Sequence, residues 1–113
     1  MTVIKKSANV EAYDAYMLSN APSAKMADMV GSEISMAKWV VYSTTDGNGE
    51  ERVVLAVITE DGEIFATISD TFIKSFLNAE QYFTENGLPF DRIKVFDGKS
   101  KNGRTYIDCL GVV

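Results

Sequence analysis

The feature that most constrains the fold is a run of three β-rich stretches separated by tight-turn residues. EISMAKWVVYSTT at 33–45 is followed by DGNG at 46–49, and RVVLAVITE at 52–60 is followed by Asp61-Gly62. The third stretch, IFATIS at 64–69, alternates between two faces. Branched and aromatic residues favour strands, and Asp-Gly pairs favour hairpin turns. The sequence therefore predicts a three-stranded antiparallel meander.

A helical pattern follows the third strand. Ser69 or Asp70 supplies an N-cap side chain. Apolar residues then recur at helical spacing, at Phe72, Ile73, Phe76 and Leu77. The helix should end before Asn86-Gly87, because glycine is common where helices stop.

Two more strands are predicted near the C-terminus, RIKVF at 92–96 and RTYIDCLGV at 104–112. Alternation predicts that the inward residues are Ile93, Val95, Ile107 and Cys109. The residues expected to face outward are Arg92, Lys94, Phe96, Arg104, Tyr106 and Asp108. The two strands should form a hairpin around the turn between them.

The order of elements predicts the fold class. Three strands, one helix and two more strands form the connectivity of a five-stranded OB-fold-like barrel, with the helix between strands 3 and 4. A short N-terminal helical segment is predicted at residues 10–18. Residues 1–113 are predicted to form a single domain. Curling into a barrel removes exposed sheet edges. An open α+β sheet with the helix packed on one face is the alternative.

The composition argues against an enzyme. The chain has no histidine, the commonest acid–base residue, and its one cysteine, Cys109, has no histidine to activate it. DGNGEE begins like a calcium loop, but Glu51 stands where the loop needs glycine. No glycine-rich phosphate loop is present. We therefore expect a non-catalytic protein without a cofactor or metal.

The sequence also bears on the compartment. The longest apolar run, VVLAVI at 53–58, is too short to cross a membrane, and the N-terminal residues lack the apolar core of a signal peptide. One cysteine suits a reducing compartment. We expect a cytoplasmic protein that does not bind membranes.

Charge is unevenly distributed along this acidic chain of 113 residues and net charge −5. Residues 91–104 contain only two acids, Asp91 and Asp97. Five cations lie in the same segment: Arg92, Lys94, Lys99, Lys101 and Arg104. Acidic residues are concentrated instead at 46–51 and 60–63. The predicted hairpin is therefore locally basic.

Aromatic residues flank these cations. Phe96 leads into the turn and Tyr106 leads out of it, and an outward Tyr42 and an outward Phe65 would extend the same surface. Cations that follow phosphates and rings that stack on bases are what single-stranded DNA binding requires. A lysine-rich turn is more often a solvated loop. Trp39 shares a face with Val41 and is predicted in the core, although a bulge would reverse that assignment.

Three segments carry a family resemblance: ITEDGEIFATIS at 58–69, IKVFDGKSKNGRTYI at 93–107 and, more weakly, MVGSEISMAKWVVY at 29–42. From about Ala12 to the C-terminus the chain resembles the single-stranded DNA-binding proteins of small, protein-primed tailed phages of Gram-positive bacteria. The second segment matches that family's lysine-rich strand, Gly-Ser-Lys-Gly turn and aromatic strand.

The resemblance implies a function. It implies a sequence-independent protein that coats and protects strands displaced during phage DNA replication, with phage replication proteins as candidate partners. By the same resemblance, Tyr42 and Phe65 would stack on bases, and Lys99, Lys101 and Arg104 would contact phosphates. Members of that family bind DNA although they are acidic overall.

A protein-binding OB module is the alternative function. A phage accessory or anti-defence protein would use Tyr42 and Phe65 as anchors on a host protein, as aromatic residues often are at interfaces. Its acidic turns would steer it toward a basic partner.

Overall fold

The computed structural model describes all residues 1–113. The strands are β1 (Thr2–Lys6), β2 (Ala24–Lys25), β3 (Glu33–Thr45), β4 (Glu51–Thr59), β5 (Ile64–Thr67), β6 (Arg92–Lys99) and β7 (Thr105–Gly111). The helices are α1 (Ala12–Asn20) and α2 (Asp70–Glu85), and a 3-10 helix spans Met26–Met29. Neither α-helix has the length and hydropathy needed to span a bilayer.

The strands form one mixed sheet in the order β2-β5-β4-β3-β6-β7, and β1 pairs separately with β3. The sheet curls around β3, which is shared between its two parts. Residues Glu33 to Ser35 of β3 pair with β6, whereas the remainder pairs with β4 and β1. A curled, β-rich mixed sheet with two helices is consistent at this coarse level with an OB-like barrel.

The predicted number of five strands was wrong. The meander and the C-terminal hairpin are present as β3–β5 and β6–β7, and α2 lies between them in the chain. The two additional strands are β1, which has no clear strand pattern, and β2, which is only two residues long. Both depend on tertiary pairing, β1 with β3 and β2 in parallel with β5.

A β-bulge in β3 determines which residues face the core. Ala37 lies between two residues that pair with adjacent positions of β4, so it has no partner of its own. The extra residue reverses the alternation. Met36 before the bulge and Trp39 after it therefore face the same main core, and the prediction that Trp39 packs with Val41 is confirmed.

The N-terminal segment satisfies backbone groups beside this bulge. The Trp39 N–H donates to Ser7 Oγ at 3.1 Å, and Asn9 Nδ2 donates to the Ala37 carbonyl at 2.9 Å. The Ser7 N–H also donates to the Trp39 carbonyl at 3.0 Å. Residues 7–9 thus take the place of a neighbouring strand where β3 bends.

Apolar residues cover both faces of the β3–β4 pair. The main core of 14 buried residues lies on the face covered by α2. The opposite face carries a second buried cluster beneath α1, formed by Leu18, Val40, Tyr42, Val54 and Ala56. Strands buried on both faces have nearly continuous apolar sequences, which explains the pattern of β4.

Helix α2 begins and ends where its sequence predicts. Ser69 is the N-cap, and its hydroxyl accepts a hydrogen bond from the Phe72 N–H at 3.3 Å. The helix packs mainly beside β7, and Phe76 packs edge-to-face against Trp39 with ring centroids 5.1 Å apart. The predicted N-terminal helical segment, 10–18, is observed two residues later as α1.

Candidate nucleic-acid interface

The β6–β7 hairpin holds most of the predicted site residues. The strands pair in register from Ile93 opposite Gly111 to Lys99 opposite Thr105. Two backbone hydrogen bonds close the turn, from the Ser100 N–H to the Arg104 carbonyl at 2.8 Å and from the Gly103 N–H to the Ser100 carbonyl at 2.9 Å. Gly103 has φ +78°, a conformation that favours glycine. The turn therefore presents its cations from an ordered backbone.

The two faces of the hairpin differ in character. Ile93, Val95 and Cys109 point into the main core, as predicted. The opposite face, here called the hairpin face, comprises Lys94, Phe96, Gly98, Tyr106, Asp108 and Leu110. Leu110 is 61% exposed on this face. Sequence reasoning did not select Leu110, although the alternation that placed Tyr106 outward also places Leu110 there.

The two rings of the hairpin face are diagonal neighbours. Phe96 lies opposite Asp108, and Gly98 lies opposite Tyr106. Phe96 is half-buried, whereas Tyr106 is 37% exposed. Diagonal positions on an antiparallel pair are within reach of aromatic side chains. The arrangement places two rings on one strip of the hairpin.

Ion pairing leaves the hairpin cations uncompensated. The protein's four ion pairs are Lys5–Glu80, Lys38–Asp14, Arg52–Asp46 and Arg92–Glu33. The cations that lie on the hairpin, are exposed and form no ion pair are Lys94, Lys99, Lys101 and Arg104. Arg92, which the sequence placed in the same cluster, is held 3.6 Å from Glu33. Four cations therefore remain free to meet anions.

The predicted outward position of Phe65 was wrong. Phe65 is 5% exposed and belongs to the main core, because it lies opposite Val57 of β4 in the observed register. The alternation along β5 is as predicted, but the buried side is the other one. Ile64 and Ala66, which lie on the other face of β5, pack against the second cluster beneath α1.

The predicted exposure of Tyr42 was also wrong. Tyr42 faces away from the main core, but the second cluster covers it and leaves it 7% exposed. Burial raises the pKa of the Tyr42 hydroxyl above its usual value. The signal for this burial was in α1, where Leu18 is an apolar residue with no role in the main core. Neither Tyr42 nor Phe65 presents a free ring face in this structure.

The acidic turn before β4 is an internally satisfied hairpin turn. Asp46 Oδ2 accepts from Arg52 Nε at 3.0 Å, and its Oδ1 accepts from the N–H groups of Asn48 and Glu50 at 2.8 and 3.0 Å. The hydrogen bond from Arg52, and then those two backbone bonds, lower the pKa of Asp46. No three histidine, cysteine or acidic side chains are grouped as metal ligands.

Cys109 is a buried thiol. Its side chain lies 3.9 Å from the Phe72 carbonyl, and burial, together with the neighbouring Asp108 carboxylate, raises its pKa to about 12. The thiolate is the reactive form of cysteine. The Cys109 N–H donates to Asp108 Oδ1 at 2.8 Å, so Asp108 satisfies a backbone group on the last strand of the sheet.

No protein-family model, curated protein or solved structure matches this chain.

Proposed function

We propose that this protein binds single-stranded DNA without sequence preference, through the β6–β7 hairpin. The observation that carries the proposal is the combination of four unpaired cations and two outward rings on one hairpin of a chain with net charge −5. Cations in such sites follow the phosphates, and each stacked base contributes roughly 1–3 kcal/mol. No catalytic step is part of this function.

The net negative charge is compatible with this function because the charge is local. The Debye length is about 8 Å at physiological ionic strength, so exposed carboxylates farther than that from a phosphate are largely screened. The acids of the hairpin itself are Asp97 and Asp108. Asp108 lies on the hairpin face opposite Phe96 and accepts a hydrogen bond from the Cys109 N–H, so its charge is one that the four cations must outweigh.

We also propose that the curled sheet is an OB-type barrel. In it, β3 to β7 are the five strands of an OB-type barrel, α2 is the helix between the third and fourth, and β1 and β2 are additions. The turn at Ser100 to Arg104 then corresponds to the loop between the last two OB strands, which takes part in oligonucleotide binding in that fold.

The sequence resemblance to phage single-stranded DNA-binding proteins supplies the biological setting. In that setting, the protein coats strands displaced during phage DNA replication, protects them, and acts in the host cytoplasm. Partners among the phage replication proteins follow from the same resemblance. The hairpin segment is where the resemblance and the uncompensated cations coincide.

A second candidate is a protein-binding module that serves as a phage accessory or anti-defence protein. Tyr42 and Phe65 are too buried to be its anchors, but α1 exposes two other rings. Tyr13 and Tyr16 are 71% and 57% exposed and stack on each other with centroids 6.2 Å apart. Exposed tyrosines are frequent energetic centres of protein interfaces.

Fluorescence anisotropy of a labelled oligo-dT tests the first candidate. The protein is titrated at low and moderate salt, with duplex DNA as competitor. We expect saturable binding that weakens with salt and resists the duplex. Absence of binding at tens of micromolar protein in low salt would exclude single-stranded DNA binding. A protein partner that is captured from nuclease-treated lysate by the wild type, but not by the Tyr13→Ala, Tyr16→Ala variant, would favour the protein-binding module.

A further inference from the structure

An apolar cleft of about 320 Å³ lies at the seam of the curled sheet, where β5 and β7 approach without pairing. One side is formed by Ala66 of β5, by Ile68 just after it, by Lys25 of β2 and by Ala27 of the 3-10 helix. The other side carries Ile107 of β7. The volume is at the lower end of small-molecule sites, which span about 300–1,000 Å³.

The lining residues fit an aromatic body that carries a negative charge nearby. Ile68, which lines the cleft, is 54% exposed and leaves an apolar surface open to a ligand. Lys25 is the only charged lining residue; it is exposed and forms no ion pair. A ligand that covers Ile68 and places an anion beside Lys25 would satisfy both features.

The cleft is continuous with the cationic hairpin. Ile107 lies opposite Asp97, and the next pair toward the turn on the same face of the hairpin is Lys99 opposite Thr105. The turn therefore stands between the hairpin face, with its rings, and the cleft on the other side. Lys99 stands opposite Thr105, which is two residues, about 7 Å, along β7 from Ile107 of the cleft.

We propose that the cleft receives one nucleobase of the bound strand, with Lys25 pairing an adjacent phosphate. This inference rests on the proposed single-stranded DNA binding. A base has apolar faces for Ile68 and Ile107, while its polar edge stays at the open mouth, so the site does not read sequence. Phosphates flank every base on both sides; Lys25 lines the cleft, and Lys99 lies on the hairpin one same-face pair beyond Ile107 and Asp97, toward the turn.

Two oligonucleotides separate base insertion from phosphate binding. One is an oligo-dT about 15 nucleotides long, near the upper end of the ~4–16-nucleotide sites of OB folds. The other has the same length and backbone but abasic sites. Ala27→Leu partly fills the cleft from an exposed position, and Ile68→Ser removes one exposed wall. We expect each variant to weaken oligo-dT binding about tenfold and to leave abasic binding unchanged.

Matched controls exclude general effects of the substitutions. Ala8→Leu adds the same side chain at another exposed alanine, and Ile4→Ser removes an isoleucine that is 53% exposed on β1. Neither control should change either affinity. If the wild type binds both oligonucleotides and the cleft variants affect both or neither, the cleft is not a base site and the proposed function survives. If the wild type binds neither oligonucleotide, both proposals fail.

Discussion

The ring of Tyr106 lies directly on Gly98 of the neighbouring strand. A Cβ atom at Gly98 would stand 2.6 Å from the Tyr106 hydroxyl oxygen and 2.7 Å from its Cζ, so only glycine permits this position. A glycine weakens a strand and often marks a close approach. Here the close approach places the outer end of the partly exposed Tyr106 ring over Gly98 on the hairpin face, where we propose that a base stacks.

The first prediction concerns this contact. Gly98→Ala should turn the Tyr106 ring away, because the clashing atoms belong to the far end of a movable side chain. We expect oligo-dT affinity to fall about tenfold, as for loss of one stacked base, with little change in thermal stability. Gly47→Ala is the control, since a Cβ there meets nothing within 4 Å.

A double-mutant cycle sharpens this prediction. Gly98→Ala and Tyr106→Ala remove the same stacking ring, so their combined loss of affinity should equal that of either alone. Additive losses would show that Gly98 acts independently of Tyr106.

The sequence predicted the strands whose pattern is local and missed those that need a distant partner. β3 to β7 and α2 follow from turn residues, alternation and an N-cap. β1 and β2 form by pairing with β3 and β5, and no local pattern encodes those partners. The side on which a strand is buried is equally non-local. The Phe65 assignment failed because the register against Val57 decides it.

The residues of the candidate site show the same difference between local and non-local signals. The hairpin residues were found because turn chemistry, charge and alternation lie in one short segment of the chain. The burial of Tyr42 depends on α1 folding over the outer face of the sheet. The cleft is lined by Lys25, Ile68 and Ile107, which are far apart in the sequence, so it could be identified only from the tertiary structure.

The second prediction concerns variants in which the charge of the turn is reversed. Lys99→Glu combined with Lys101→Glu should abolish binding to oligo-dT, because two phosphate partners become repulsive. Both residues are exposed and form no ion pair, so the melting temperature should stay unchanged. Lys74→Glu, at an exposed and unpaired lysine of α2, should retain affinity. Intact binding in the double variant would exclude the turn as the binding site.

The third prediction is the salt dependence of binding. Each phosphate neutralised on a single strand contributes about −0.7 to the slope of log affinity against log salt. The four unpaired hairpin cations therefore predict a slope of about −3. Lys99→Gln with Lys101→Gln should reduce its magnitude by about 1.4. Titrations at four or more salt concentrations measure both slopes, and an unchanged slope would mean that these lysines do not contact phosphate.

The fourth prediction separates the buried rings from the exposed ones. Phe65→Leu and Tyr42→Phe keep most of the packing, so each should cost less than about 1.5 kcal/mol of folding stability. Affinity for oligo-dT should not change, because neither ring is accessible. Phe96→Leu, on the hairpin face, is the contrasting variant and should weaken binding. If a fully folded Phe65→Leu variant lost affinity for oligo-dT, the Phe65 ring would have to become exposed when DNA binds.

The fifth prediction uses the buried thiol. The pKa of Cys109 is raised from 9.0 to about 12, so in the unfolded chain the thiol loses its proton at lower pH than in the folded protein. Its contribution to stability is present below pH 9 and is lost as the pH rises toward 12. Urea unfolding at pH 7 and pH 10.5 should therefore show a larger loss of stability for the wild type than for Cys109→Ala. The variant starts lower because it leaves a small cavity, but its decline with pH should be shallower. An equal decline in the two proteins would mean that Cys109 titrates alike in the folded and unfolded states.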